Sequence, residues 1–254
     1  MVKLHYRVLG EGQPLIILHG LFGYSDNWQS HAKKLAEYFQ VSLVDQRNHG
    51  HSPWHDAMSY DLIAEDLNGL VSELNLEKVI LVGHSMGGKT ALRFAQLYPD
   101  CLEKLVVLDM GRKTYPSHHD AILKGLNEVS TLPLKSRNNA EEVLSKHVDS
   151  LGIRQFLLKN LYWKEKGQLA WRMNIPVLEA NMNKILAEIP NEEIMLPTLF
   201  MRGAQSNYIL DEDISDLEEF CPDSEFITIE NAGHWLHAEA PGPFLEALLG
   251  YCLR

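Results

Sequence analysis

Paired cysteines, long apolar runs and an excess of basic charge are all missing from this chain. Its three cysteines, Cys101, Cys221 and Cys252, are widely spaced, odd in number and form no C-x-x-C pair. They therefore suggest neither a disulfide framework nor a zinc site, and a reducing, cytoplasmic compartment is expected. No run reaches the roughly 20 apolar residues needed to cross a bilayer, and Met1 to Arg7 hold no apolar leader core, so no membrane span is expected. Acidic residues outnumber basic ones 34 to 23, for a net charge of −11, which argues against a nucleic-acid partner.

What is present is ordinary globular material, 254 residues of which 45% are hydrophobic. That length fits one α/β domain carrying an insertion. The charge is unevenly placed. From Arg112 to Arg172 there are 11 Lys/Arg against 6 Asp/Glu, so this stretch is basic while the remainder is strongly acidic. Such a stretch is either a set of solvated helix faces or a positive lid that attracts anionic substrates.

Strand-like and helix-like stretches alternate through the first 109 residues. Lys3 to Leu9 alternates like an edge strand, and Pro14 to Leu18 and Val41 to Val44 are short apolar runs. Helical spacing marks Trp28 to Phe39 and Asp61 to Leu74, and Lys78 to Val82 and Lys104 to Leu108 read as buried strands. This rhythm predicts βαβ units and a mostly parallel sheet flanked by helices. From residue 112 to 190 only helical periodicity is evident, over Ala121 to Val129, Ala140 to Val148 and Ile153 to Leu161. Strand patterns resume at Pro197 to Gly203 and Glu225 to Ile229, with helices at Asp211 to Phe220 and Pro241 to Tyr251. The expected organisation is a core of residues 1–111 and 191–254 interrupted by an all-helical cap over 112–190. An insertion of that length implies a role.

Residues Gly83-His84-Ser85-Met86-Gly87-Gly88-Lys89-Thr90 spell two motifs at once. The first five form a G-x-S-x-G nucleophile elbow, and the full stretch is a G-x-x-x-x-G-K-T phosphate-binding loop. Both motifs need a strand before and a helix after, and both are supplied. The elbow pattern alone arises by chance in about one chain of this size in ten. The phosphate-loop pattern is rarer, and Leu105 to Asp109 could serve as its acidic strand, but it leaves three further motifs idle.

Those three fit acyl transfer. His19-Gly20-Leu21-Phe22-Gly23 follows a strand, where a backbone N–H can hold a developing oxyanion. Met86, after the nucleophile, supplies one donor and Leu21 the other, with Phe22 the next candidate. Asn231-Ala232-Gly233-His234-Trp235 places His234 after the last strand, as the order serine, acid, histidine requires. A serine hydroxyl needs such an imidazole to take its proton. The acid is usually found after the strand at Thr198 to Met201, but Ser206 occupies that place. Asp109, at the carboxyl end of the preceding strand, is the preferred carboxylate; Asp211, which resembles a helix N-cap, is the alternative.

Asp45 to Ser52 gathers an aspartate and two histidines, His49 and His51, and could suggest metal ligation. The favoured reading is a structural loop in which Asp45 and Arg47 brace the elbow. His84 is expected to pack and His237 to support His234. Phe22 and Trp235 are candidate substrate contacts, and Trp54, Trp163 and Trp171 could line the same pocket or simply pack.

With these residues placed, the chain resembles the α/β-hydrolase superfamily, and more narrowly the small bacterial esterases of the YbfF type and their mitochondrial abhydrolase relatives. The resemblance rests on His19 to Gly23 with Asp26-Asn27, Asp45 to Ser52, Gly83 to Lys89 and Asn231 to Glu239. Arg154 to Leu158 and Trp171 to Asn174 extend it into the insertion. It implies a helical cap over a Ser85-His234-Asp109 triad, with the acid after the strand ending at Leu108. It also implies hydrolysis of short-to-medium acyl esters, and of acyl thioesters. That chemistry asks for no cofactor and no metal, and its only expected partner is the small-molecule substrate.

Overall fold

The computed structural model describes residues 1–132 and 136–254. Nine strands and eleven α-helices follow one another among them. In the first part of the chain these are β1 (His5–Leu9), β2 (Gln13–Leu18), α1 (Gln29–Leu35), β3 (Phe39–Asp45) and α2 (Tyr60–Glu73). Next come β4 (Val79–His84), α3 (Met86–Leu97) and β5 (Leu102–Leu108). The insertion contains α4 (Asp120–Thr131), α5 (Arg137–Leu144), α6 (Leu151–Leu158), β6 (Leu161–Glu165), β7 (Gln168–Trp171), α7 (Ile175–Ala180) and α8 (Met182–Leu186). The core closes with β8 (Thr198–Gly203), α9 (Ile214–Phe220), β9 (Ser224–Ile229), α10 (Leu236–Glu239) and α11 (Pro241–Cys252).

Seven strands form one sheet in the order β1-β3-β2-β4-β5-β8-β9, parallel except for β1. The apolar runs form strands because both faces of the sheet are covered. Ile16, Leu18, Leu81, Leu105 and Val107 face one layer, with α2, α3 and the insertion. Their neighbours Leu15, Ile17, Ile80, Val82 and Val106 face the other, against α1 and α11. Alternate residues thus enter opposite cores, the period of two that a pleated strand imposes. Helix α2 starts where Ser59 accepts a hydrogen bond from Leu62 N–H at 3.3 Å, a cap worth about 1 kcal/mol.

The winding reverses around β2, which has β3 on one side and β4 on the other. Such a reversal opens a crevice at the carboxyl ends of the strands. The loops after β2, β4, β5, β8 and β9 all emerge on this edge, so five distant segments can meet there.

The insertion differs from the expected all-helical cap by one element. Strands β6 and β7 pair antiparallel as a hairpin, turning at Lys166-Gly167, where Gly167 has φ 83°. The helix expected to run to Leu161 stops at Leu158 and Leu161 opens β6; the short, largely exposed pair has too few apolar positions to announce itself. Its flanks dock on the core. Asn160 Nδ2 donates to Phe22 O at 2.8 Å, and Asn174 N–H donates to Asn48 O at 2.9 Å. No helix among the described residues is long and apolar enough to cross a membrane.

Candidate active site

Ser85 stands between β4 and α3 with φ 53° and ψ −119°, a left-handed setting that side chains rarely adopt. Glycine at 83 and 87 allows the sharp turn. A Cβ on Gly87 would lie 2.5 Å from Leu18 O, and one on Gly83 would run into the Gly87 carbonyl. The serine is thereby raised at the carboxyl end of β4, at the floor of a cavity of about 560 Å³.

Asp109, fully buried one residue beyond β5, is also left-handed, at φ 48°. Its Oδ2 accepts from His234 Nδ1–H at 2.8 Å and from the Ser206 hydroxyl, while its Oδ1 accepts from Gly203 N–H at 3.1 Å. Asp211, the alternative acid, pairs with Arg202 at 2.6 Å, and its side chain is 88% exposed. The carboxylate that meets the imidazole is therefore Asp109. Ser206, in the customary acid position, has become one of its hydrogen-bond donors.

His234 lines the same cavity as Ser85, its side chain 16% exposed. Among the described residues no hydrogen bond joins Ser85 Oγ to His234; such contacts commonly tighten only when substrate is bound. The loop carrying the imidazole is held from two sides. Tyr208 stacks on it with centroids 3.8 Å apart and planes within 14°. From beneath, His84 Nε2–H donates to His234 O at 2.8 Å. Burial, with the nearby His234 adding to it, pulls His84 down to about 3. Burial, then the Asp109 charge, pushes the Tyr208 phenol up to about 12. Both rings are therefore neutral around neutral pH. His237 lies behind them, stacked on Trp28 at 4.2 Å and edge-on to His84 at 4.7 Å.

The loop after β2, residues His19 to Gly23, lines the same cavity. Phe22 N–H donates to His49 Nε2 at 3.2 Å, which engages it, whereas Leu21 N–H has no acceptor among the described residues. Met86 opens α3, so its N–H is one that intrahelical bonding leaves free. The loop is clamped from below. Gln46 donates its N–H to His19 Nε2 at 3.0 Å and its Nε2–H to His19 O at 2.6 Å, and Thr90 Oγ1 donates to Gln46 Oε1 at 2.8 Å.

Asp45 and Arg47 act as braces. Asp45 accepts from Ser25 N–H at 2.7 Å and His51 N–H at 2.8 Å; Arg47 pairs with buried Asp66 at 2.6 Å. His5, Asp45 and His51 bring ligand atoms within 4.8 Å of one another, but both Asp45 oxygens already hold these structural bonds. The phosphate-loop residues are likewise engaged. Lys89 is 1% exposed and donates only to main-chain carbonyls, and Thr90 is tied to Gln46.

Phe22 and Trp235 both line the cavity, with Ile122, Ile153 and Phe156 from the insertion. Trp54, Trp163 and Trp171 do not: Trp54 and Trp163 are 55% and 50% exposed, and Trp171 is buried in the core. The basic insertion also changes character when its partners are seen. Arg112, Lys113, Lys146 and Arg154 pair with Asp216, Asp213, Glu128 and Glu141. Lys135 lies outside the described residues. Among the described residues Lys159 is the one lysine or arginine on the cavity wall, and Asp149 and Glu239 share that wall.

The sequence reading did not foresee Tyr208, Ser206 or His84 as partners of the triad candidates. Only Ser206 carried a signal, a hydroxyl where a carboxylate is customary.

The profile of the alpha/beta hydrolase fold family matches residues 13–153. The sn-1-specific diacylglycerol lipase ABHD11 of Mus musculus is 38% identical over 247 residues, covering 93% of this chain and 80% of that protein. Esterase YbfF of Escherichia coli is 35% identical over 241 residues, covering 94% and 92%. Among solved structures, a marine microorganism esterase superposes with a TM-score of 0.96 at 43% identity, over 99% of this chain and 100% of that one.

Proposed function

Since the chain belongs to the α/β-hydrolase family and is an esterase/lipase-type hydrolase, we propose that it cleaves short-to-medium acyl esters and acyl thioesters through a Ser85 acyl-enzyme. Ser85 Oγ attacks the acyl carbonyl while His234 takes its proton. Asp109 holds the imidazole in the tautomer with hydrogen on Nδ1 and stabilises its charged form. The Leu21 and Met86 amides receive the negative oxygen, each such donor being worth about 3 kcal/mol of barrier. His234 then protonates the departing alcohol or thiol, and water repeats the sequence to release the acid.

The observation that carries this reading is the Asp109–His234 hydrogen bond of 2.8 Å on a cavity whose floor holds Ser85 in its left-handed turn. A volume of about 560 Å³ falls in the range of small-molecule sites. Apolar walls from Phe22, Ile122, Ile153, Phe156 and Trp235 suit an acyl chain. Ser85→Ala is expected to abolish hydrolysis of p-nitrophenyl acetate and labelling by a fluorophosphonate, with unchanged circular dichroism. Full activity in that variant would overturn the mechanism.

A further inference from the structure

The lysine that completes the phosphate-loop pattern is not used by the mechanism above, yet it is among the most buried side chains in the protein. Lys89 lies in the first turn of α3, four residues after Ser85, and is 1% exposed. Its ammonium has three protons to donate, and it meets three carbonyls: Arg112 O at 3.2 Å, Lys113 O at 2.7 Å and Ala187 O. Arg112 and Lys113 begin the insertion, and Ala187 directly follows its last helix, α8. Both roots are therefore held by one side chain. They are also tied to each other, through Ile189 N–H to Arg112 O at 2.8 Å and Tyr115 N–H to Leu186 O at 2.9 Å.

We infer that Lys89 is a positioning residue, clamping both roots of the insertion to the helix that starts at the nucleophile and so setting where the cavity walls stand over Ser85. This inference rests on the esterase reading for its kinetic arm only. The three protons of a lysine match the three acceptors, whereas a glutamine has two. Burial draws the ammonium down to about 7, opposed by Glu188 and helped by Arg112, and the three carbonyls act against that pull by favouring the charged form. The clamp also borders the catalytic groups. Lys89 Nζ lies 5.2 Å from the Tyr115 ring centre, and Tyr115 donates its hydroxyl to Tyr208 O at 2.9 Å. Tyr208 is the ring stacked on His234. A second cavity, of about 20 Å³, opens between Lys89, Tyr115, Tyr208 and Ser85.

The test compares Lys89→Gln and Lys89→Met with wild type, using p-nitrophenyl acetate and a bulky p-nitrophenyl ester that must touch the cap walls. A released clamp is expected to raise KM for the bulky ester roughly tenfold, the worth of about two methylenes of lost wall contact, while kcat for the acetate stays within about threefold. Amide hydrogen exchange at Tyr115 and Ile189 should accelerate in the same variants. Equal losses of kcat on both esters would mean that Lys89 merely supports the elbow. Unchanged kinetics with unchanged exchange would also overturn the inference. If Lys89→Met does not fold, Lys89→Gln keeps two of the three bonds and carries the comparison. If the wild type cleaves neither ester, the esterase reading fails instead, and the exchange measurement still decides on the clamp.

Discussion

Acid should unfold this protein earlier than its carboxylates alone would dictate, because neutral histidines are built into the floor of the site. His49 and His84 are both fully buried, and burial above all pulls each down to about 3, from an ordinary value of 6.5. Each has a bond that needs its present tautomer: His49 Nε2 accepts from Phe22 N–H, and His84 Nε2–H donates to His234 O. Between about pH 6.5 and pH 3 the unfolded chain binds protons that the folded chain refuses, so stability falls as pH falls through that window. At pH 5 the penalty is about 2 kcal/mol per histidine, or about 4 kcal/mol for the pair. That is a large share of the 5–15 kcal/mol typical of a folded domain. His19, His119 and His237, lowered chiefly by burial too, act in the same direction. Urea unfolding at pH 7.5, 6 and 5 should show a falling midpoint. His49→Gln, which keeps an acceptor for Phe22 but cannot titrate, should flatten the slope whatever its stability at pH 7.5. Equal wild-type midpoints at pH 7.5 and pH 5 would refute the reasoning, as would identical slopes in wild type and variant.

Asp109→Asn should lower kcat about 10⁴-fold, since the amide favours the wrong imidazole tautomer. Asp211→Asn should stay near wild type, because Asp211 pairs at the surface with Arg202. The reverse pattern in steady-state assays would move the acid. For an anionic acyl-CoA thioester, kcat/KM should vary little with salt relative to a neutral ester. Lys159 is the one lysine or arginine on the cavity wall among the described residues, and Asp149 and Glu239 offset it; a steep salt dependence would restore the positive-lid reading.

The parallel sheet was legible because strands such as Ile16 to Leu18 and Leu105 to Leu108 are apolar on both faces, and only a doubly covered sheet asks for that. The elbow was legible from its spacing: glycine at 83 is demanded by the Gly87 carbonyl close to hand in the chain, although glycine at 87 answers to Leu18 and His19 at the end of the neighbouring strand. Asp109 could be picked out because it ends a strand at the ligand-binding edge while Ser206 leaves the customary position empty of charge. Other features depend on partners far away in sequence. The stacking of Tyr208 on His234 follows from how two loops meet, and the bonds of Lys89 span up to 98 residues. Nothing local to Lys89 separates a lysine that cradles phosphate from one that holds main-chain carbonyls. The β6–β7 hairpin was missed for want of apolar alternation, and Trp54 and Trp163 gave no hint of facing water.

Asp109 is the last residue of the sheet edge before the chain departs into the insertion, with only Met110 and Gly111 between it and Arg112. The carboxylate that accepts from the His234 imidazole thus stands on the threshold of the insertion rather than on a loop of its own. In the proposed mechanism the wall that meets the substrate and the acid that orients the imidazole therefore share one stretch of main chain. An acid housed after β8 would have kept the two apart.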